Sequence, residues 1–140
     1  MASGLAIKVV DPDNDYLGIE IRASNESFGG SARIYAGLDQ LSDFASRIAG
    51  FPANAQDQRL YEFGSREPSI AGGYGRLFFR CIDPSGHAIV EIGLEDDERQ
   101  ASGMAHFSFP VEAAAIDRFT HALREIEHAR SGVATLLEAV

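Results

Sequence analysis

The stretch RLFFRCIDPSGHAIVEIGL, residues 76–94, constrains the fold more than any other part of the chain. Leu77, Phe79 and Cys81 alternate with outward Arg76 and Arg80, and Ala88, Val90, Ile92 and Leu94 take up the same two-residue period around Glu91. Between the runs, Asp83, Pro84 and Gly86 suit successive positions of a type I turn, with Pro84 fixing φ and Gly86 free to take a positive one. Two strands that share an apolar face and are joined by so short a connection pair antiparallel.

The same alternation recurs elsewhere. Residues 5–10 read as a strand. In YLGIEIRAS, Leu17, Ile19, Ile21 and Ala23 form one face, and in SARIYAG Ala32, Ile34 and Ala36 do so. LDQLSDFASRIAGF changes period: Leu38, Leu41, Phe44, Ala45 and Ile48 recur at three- and four-residue steps, and Gly50 with Pro52 stops the helix. LYEFG is a short strand, and 65–75 is a loop with Gly72, Gly73 and Gly75 at its end. After the acidic turn EDDER, Ala105, Phe107 and Phe109 mark another strand. Pro110 opens a long helix carrying Ile116, Phe119, Leu123 and Ile126. The closing SGVATLLEAV reads as a short helix docked by Val133, Leu136 and Leu137. The expectation is a single α+β domain over 1–140: about seven strands in one curved antiparallel sheet, with two main helices, about 38–49 and 111–128, on one face.

At 140 residues the chain has the size of one domain. No run is apolar enough to span a membrane, and the N-terminus lacks the basic start and apolar core of an export signal. A lone cysteine, Cys81, forms no internal disulfide, which fits a cytoplasmic location. A net charge of −9 repels phosphate backbones, so a basic protein is the expected partner and nucleic acid is not.

The aspartates of DPDNDYLGIEIR, Asp11, Asp13 and Asp15, are spaced like the first half of a calcium loop. Its sixth and twelfth positions are Tyr16 and Arg22, where that loop needs glycine and glutamate. The segment reads as a hairpin connection. His121, Glu125 and His128 share one face of the last helix, opposite its apolar stripe, and read as solvated. His106 and His87 show no sequence-local carboxylate partner at a telling spacing. Cys81 falls on an apolar strand face, where a thiol behaves as a small hydrophobe. No G-x-S-x-G elbow is present, and GGYG lacks the lysine and hydroxyl residue of a phosphate loop. No cofactor, metal site or catalytic set is expected. What remains is two acidic segments, Asp11, Asp13 and Asp15 in one and Glu95, Asp96, Asp97 and Glu98 in the other, as surfaces that steer association with a basic partner.

GLDQLSDFASRIAGFP, LFFRCIDPSGHAIVEIGL and HFSFPVEAAAIDRFTHALREI together resemble the wall-associated-protein (WapI-type) immunity proteins of bacterial polymorphic toxin systems and related uncharacterised bacterial domains. Leu41, Phe44 and Ile48 match that family's first helix, Gly86, His87, Val90 and Ile92 its hairpin, and Ile116, Phe119 and Leu123 its last helix. The resemblance implies a non-catalytic inhibitor that neutralises a toxin by direct binding, and it identifies no contact residue.

Two other readings stay open. One is a self-associating module using an open sheet face on which Tyr35, Phe78 and Ile82 lie between Arg33, Arg76 and Arg80. The other is a metal- or small-ligand-binding enzyme built on His121, Glu125 and His128 or on the glycine loop.

Overall fold

The computed structural model describes residues 3–66, 72–96 and 102–139. The elements follow in the order β1 (Gly4–Pro12), β2 (Leu17–Ser24), β3 (Gly29–Ala36), α1 (Gln40–Ile48), β4 (Gln58–Gly64), β5 (Tyr74–Cys81), β6 (Ala88–Asp96), β7 (Gly103–Val111), α2 (Ala113–Ala129) and β8 (Val133–Leu137). The fold is α+β and antiparallel, as the alternation predicts. Its strands form two four-stranded sheets rather than one of seven: sheet A in the order β3-β2-β1-β8 and sheet B in the order β4-β5-β6-β7.

Sheet B is a meander and sheet A a three-stranded meander extended by β8 at its β1 edge, and the inner face of each is the apolar face read from the sequence. In sheet A, Ile7, Ile21 and Ile34 are buried while Lys8, Arg22 and Arg33 are exposed. In sheet B, Leu77 stands opposite Ile92 and Phe79 opposite Val90, all four fully buried. The β5–β6 turn is as predicted: the Gly86 N–H donates to the Asp83 carbonyl at 3.2 Å, and Gly86 takes φ +87°.

The closing segment is a strand, not a helix. Arg130 takes a left-handed conformation after α2, the chain reverses through Gly132, and Ala134 and Leu136 turn inward as Val133–Leu137 pairs with β1. Five residues of strict alternation beside an unpaired β1 edge gain a full ladder of hydrogen bonds, which an isolated short helix does not match.

The two sheets meet at β3. Gly30 lies against Ala105 of β7 and Leu94 of β6, while Ile34 lies against Gly75 of β5 and Gly64 of β4. Within four residues β3 thus passes from β7 and β6 to β5 and β4, crossing sheet B rather than running along one of its strands. The helices close the opposite side, α1 against β4 and α2 against β8 and β1, so they do not share one face of one sheet. Phe44 of α1 stands at the centre, its ring within 6.4 Å of those of Tyr61, Phe63, Phe79 and Phe119. Leu38, expected in the helical stripe, precedes α1 and is exposed. Among the described residues, no helix is long and apolar enough to cross a membrane.

Candidate functional site

The aspartate-rich segment is a hairpin, as its composition predicts. The Asp13 N–H donates to the Tyr16 carbonyl at 3.1 Å and the Asp15 N–H to Asp13 Oδ1 at 3.1 Å, the local bonding by which aspartates build turns. The Tyr16 hydroxyl donates to Asp11 Oδ2 at 3.1 Å, and its ring meets Tyr35 edge-on at 5.1 Å. That hydrogen bond, with desolvation and the Asp11 and Asp13 charges behind it, holds the phenol pKa above its ordinary value. From the far end of the chain, Arg130 donates to the Asp13 carbonyl. The hairpin is thus fastened at both sides. Its three carboxylates are exposed, and none of the ion pairs among the described residues involves them.

The second acidic segment is built differently. Glu95 and Asp96 are the last residues of β6 rather than part of a loop; Asp97 and Glu98 lie outside the described residues. Glu95 accepts from Arg66 Nε at 2.6 Å. Asp96 is half-buried, with Oδ1 shielded from solvent and without a hydrogen-bond partner among the described residues. At this end of sheet B the Tyr74 hydroxyl donates to the Glu62 carboxylate, and the Arg66 guanidinium lies 4.5 Å from the centre of the Tyr74 ring. Burial, then the bond to Glu62 and its charge, pushes the Tyr74 pKa up to about 12.

Arg66, Tyr74, Glu95 and Asp96 border a cavity of about 280 Å³. Glu62, Arg66 and Tyr74 were not singled out from the sequence. The signal for them is register: Tyr74 pairs with Gly64, two residues from Glu62 on the neighbouring strand.

One ridge joins the two acidic segments. Gly72 lies beside the Tyr35 ring, the Gly73 N–H donates to the Arg33 carbonyl at 2.9 Å, and Gly73 also abuts the backbone of Glu95. The glycines that read as a loose loop tip therefore seal the start of β5 to the free edge of β3.

His87 corrects the reading that it lacks a local carboxylate partner. Its Nδ1 lies 2.6 Å from Asp83 Oδ2, four residues back across the turn. Desolvation pushes the Asp83 pKa up, but hydrogen bonds from the His87 ring and from the His87 and Ser85 backbone outweigh it, so the carboxyl titrates below its usual range. Cys81 pairs with Ala88, packs against the core and directs its thiol to the Asn54 carbonyl at 3.7 Å, while the His87 ring is engaged by Asp83. His106, His121, Glu125 and His128 are exposed, and the described residues contain no group of three His, Cys, Asp or Glu arranged to hold a metal. Tyr35 and Arg33 lie on sheet A, whereas Phe78, Arg76 and Arg80 belong to sheet B and Ile82 follows its β5, so the proposed open face is divided between two sheets.

No protein-family model matches the chain, and neither a curated protein nor a solved structure shows significant similarity to it.

Proposed function

We propose that the chain is a non-catalytic cytoplasmic binding protein of the immunity type, which neutralises a basic toxin domain by direct contact through the β1–β2 hairpin. The observation that supports this reading is the display of Asp11, Asp13 and Asp15. They are three exposed carboxylates that take part in no ion pair among the described residues, on a turn fixed by Tyr16 and by Arg130, which bonds the Asp13 carbonyl rather than a carboxylate. A fixed turn loses little conformational freedom on binding, and unneutralised charge at its tip raises the encounter rate with a cationic surface. Glu95 and Asp96 are weaker contributors, since Arg66 neutralises the first and the second is half-buried.

Asparagine at positions 11, 13 and 15 keeps the acceptor oxygens of the turn and removes the charge. With the partner recovered from the native host, the triple variant associates about tenfold more slowly at low salt and converges on the unaltered protein at high salt. A host that yields no partner, or an association rate indifferent both to salt and to the three substitutions, overturns the proposal.

A further inference from the structure

The solvent side of sheet A carries a second surface of opposite sign. Register places Lys8, Glu20 and Arg33 side by side across β1, β2 and β3. The two rows beyond them, Arg22 apart, carry only small side chains on the first three strands, Ala6 and Ser31, then Gly4, Ser24 and Gly29; on β8 the rows end in Thr135 and Leu137. The shortage of side-chain volume leaves a shallow trough of about 410 Å³. Leu137 lines it and is 53 % exposed, and Phe28, next to the lining residue Gly29 in sequence, is 65 % exposed. A solvent-facing sheet surface ordinarily carries long polar side chains, so bare floor bordered by exposed apolar groups marks a place where something docks.

Charge selects the occupant. On the strand positions of this face, Lys8, Arg22 and Arg33 stand against Glu20, three positive and one negative, on a chain whose net charge is −9. Glu20 is shared by both arginines, at 3.3 Å from Arg22 and 3.9 Å from Arg33, and their side chains are 68 % and 60 % exposed. The Debye length is about 8 Å at physiological ionic strength, so a ligand on this face feels the local cations more than the distant acidic loops. A second copy, paired face to face about a two-fold axis, stacks cations on cations. A nucleic acid brings a run of phosphates against a strongly acidic molecule.

We propose that the outer face of sheet A docks a protein segment bearing carboxylates around one bulky apolar side chain. The carboxylates engage Arg22 and Arg33, and the apolar group fills the trough over Ala6 and Thr135. This surface is separate from the aspartate hairpin and stands independently of the partner proposed for it.

Fluorescein-labelled peptides test the assignment by anisotropy. One probe carries a single phenylalanine flanked by glutamates, the second replaces the glutamates with lysines, and the third replaces the phenylalanine with serine. The first binds, and the other two bind at least about tenfold more weakly. Arg22→Glu with Arg33→Glu abolishes binding, and so does Ala6→Tyr, which fills the trough from an outward position. Unchanged thermal unfolding shows that these variants remain folded, while Asp11→Asn, Asp13→Asn and Asp15→Asn leave the peptide affinity within about twofold. Absence of binding by the first probe, equal binding by the second or third, or indifference to the variants overturns the proposal. So does sedimentation of a dimer that Phe28→Ser dissociates, or displacement of the first probe by a single-stranded oligonucleotide.

Discussion

Glu127 of α2 accepts a hydrogen bond from the backbone N–H of Ser42 at 3.1 Å, and its other carboxylate oxygen takes the Ser42 hydroxyl. Ser42 lies in the first turn of α1, whose own N-cap residue, Asp39, makes no side-chain capping bond. The cap comes from the other helix, 85 residues along the chain. A helix start needs acceptors for its free N–H groups and favours negative charge, and Glu127 supplies both while fixing the two helices together. Glu127→Ala is expected to cost about 1–3 kcal/mol in urea unfolding, the range for a part-buried charge-assisted bond. Glu127→Gln recovers part of the loss. In a double-mutant cycle with Ser42→Ala the two substitutions are strongly non-additive.

The C-terminus of α1 is held by a side chain from the next strand. Arg59 of β4 donates to the carbonyls of Arg47 at 3.2 Å and Ala49 at 2.6 Å, and Asp57 grips the same guanidinium through both carboxylate oxygens. The hydrogen bonds from Arg59, opposed by desolvation and aided by the Ala53 N–H, lower the Asp57 pKa in the folded state. A carboxyl whose folded pKa is depressed contributes stability that is complete above its unfolded pKa and is lost as pH falls through the folded value. Stability is therefore expected to decline below about pH 4. Asp57→Asn is less stable at neutral pH, and its curve approaches that of the unaltered protein in acid. Curves that stay parallel down to the acid transition count against this role.

Gly64 ends β4 where β3 crosses it. Its φ is +73°, and a Cβ there lies 2.1 Å from the Gly73 carbonyl oxygen and 3.2 Å from Ile34. The first obstacle is backbone and cannot swing aside, so Gly64→Ala combines left-handed strain with displacement of the segment that seals β3 to β5. A loss of about 2–4 kcal/mol is expected in chemical unfolding. Gly86→Ala, at φ +87° but with open space around the added methyl, is the control and costs about 1 kcal/mol.

What the sequence disclosed is what periodicity encodes. Ile19 and Ile21 announce an inner face because Glu20 and Arg22 alternate with them, and the Asp83–Gly86 turn follows from residue types at fixed offsets. Alternation does not say which strand lies beside which. Nothing local distinguishes one sheet from two, because the division rests on β3 crossing at Gly30 and Ile34, contacts between residues far apart in the chain. Val133–Leu137 was misread for a related reason: its ladder partner is β1, at the other end of the molecule. The aspartate hairpin was legible because aspartates bond to their own backbone. Glu62, Arg66 and Tyr74 meet only once β4, β5 and β6 are in register. Asp83 and His87 were visible as an i, i+4 spacing and went unread because that spacing suggests a partnership on a helix, not across a turn.

Tyr74 gives the molecule an alkaline limit. Its hydroxyl is buried beside the Glu62 carboxylate, and ionisation there places a phenolate against a negative charge in a partly dry site, which raises the pKa to about 12. Tyr61, half-buried and bonded to Asp43 at 2.8 Å, is raised further for the same reasons. A folded pKa above the unfolded value of about 10 means the neutral phenol stabilises the fold at all pH values below that, and the contribution fades as pH climbs through the folded pKa. Unfolding measured from neutral pH upward is therefore expected to weaken progressively beyond pH 10. Tyr74→Phe removes the Tyr74 part of that slope while lowering stability at neutral pH, because Glu62 loses its donor. Ultraviolet titration of the folded protein at the phenolate band provides the direct reading. A Tyr74 phenolate that appears near pH 10 with the fold intact shows that burial and Glu62 do not restrain it.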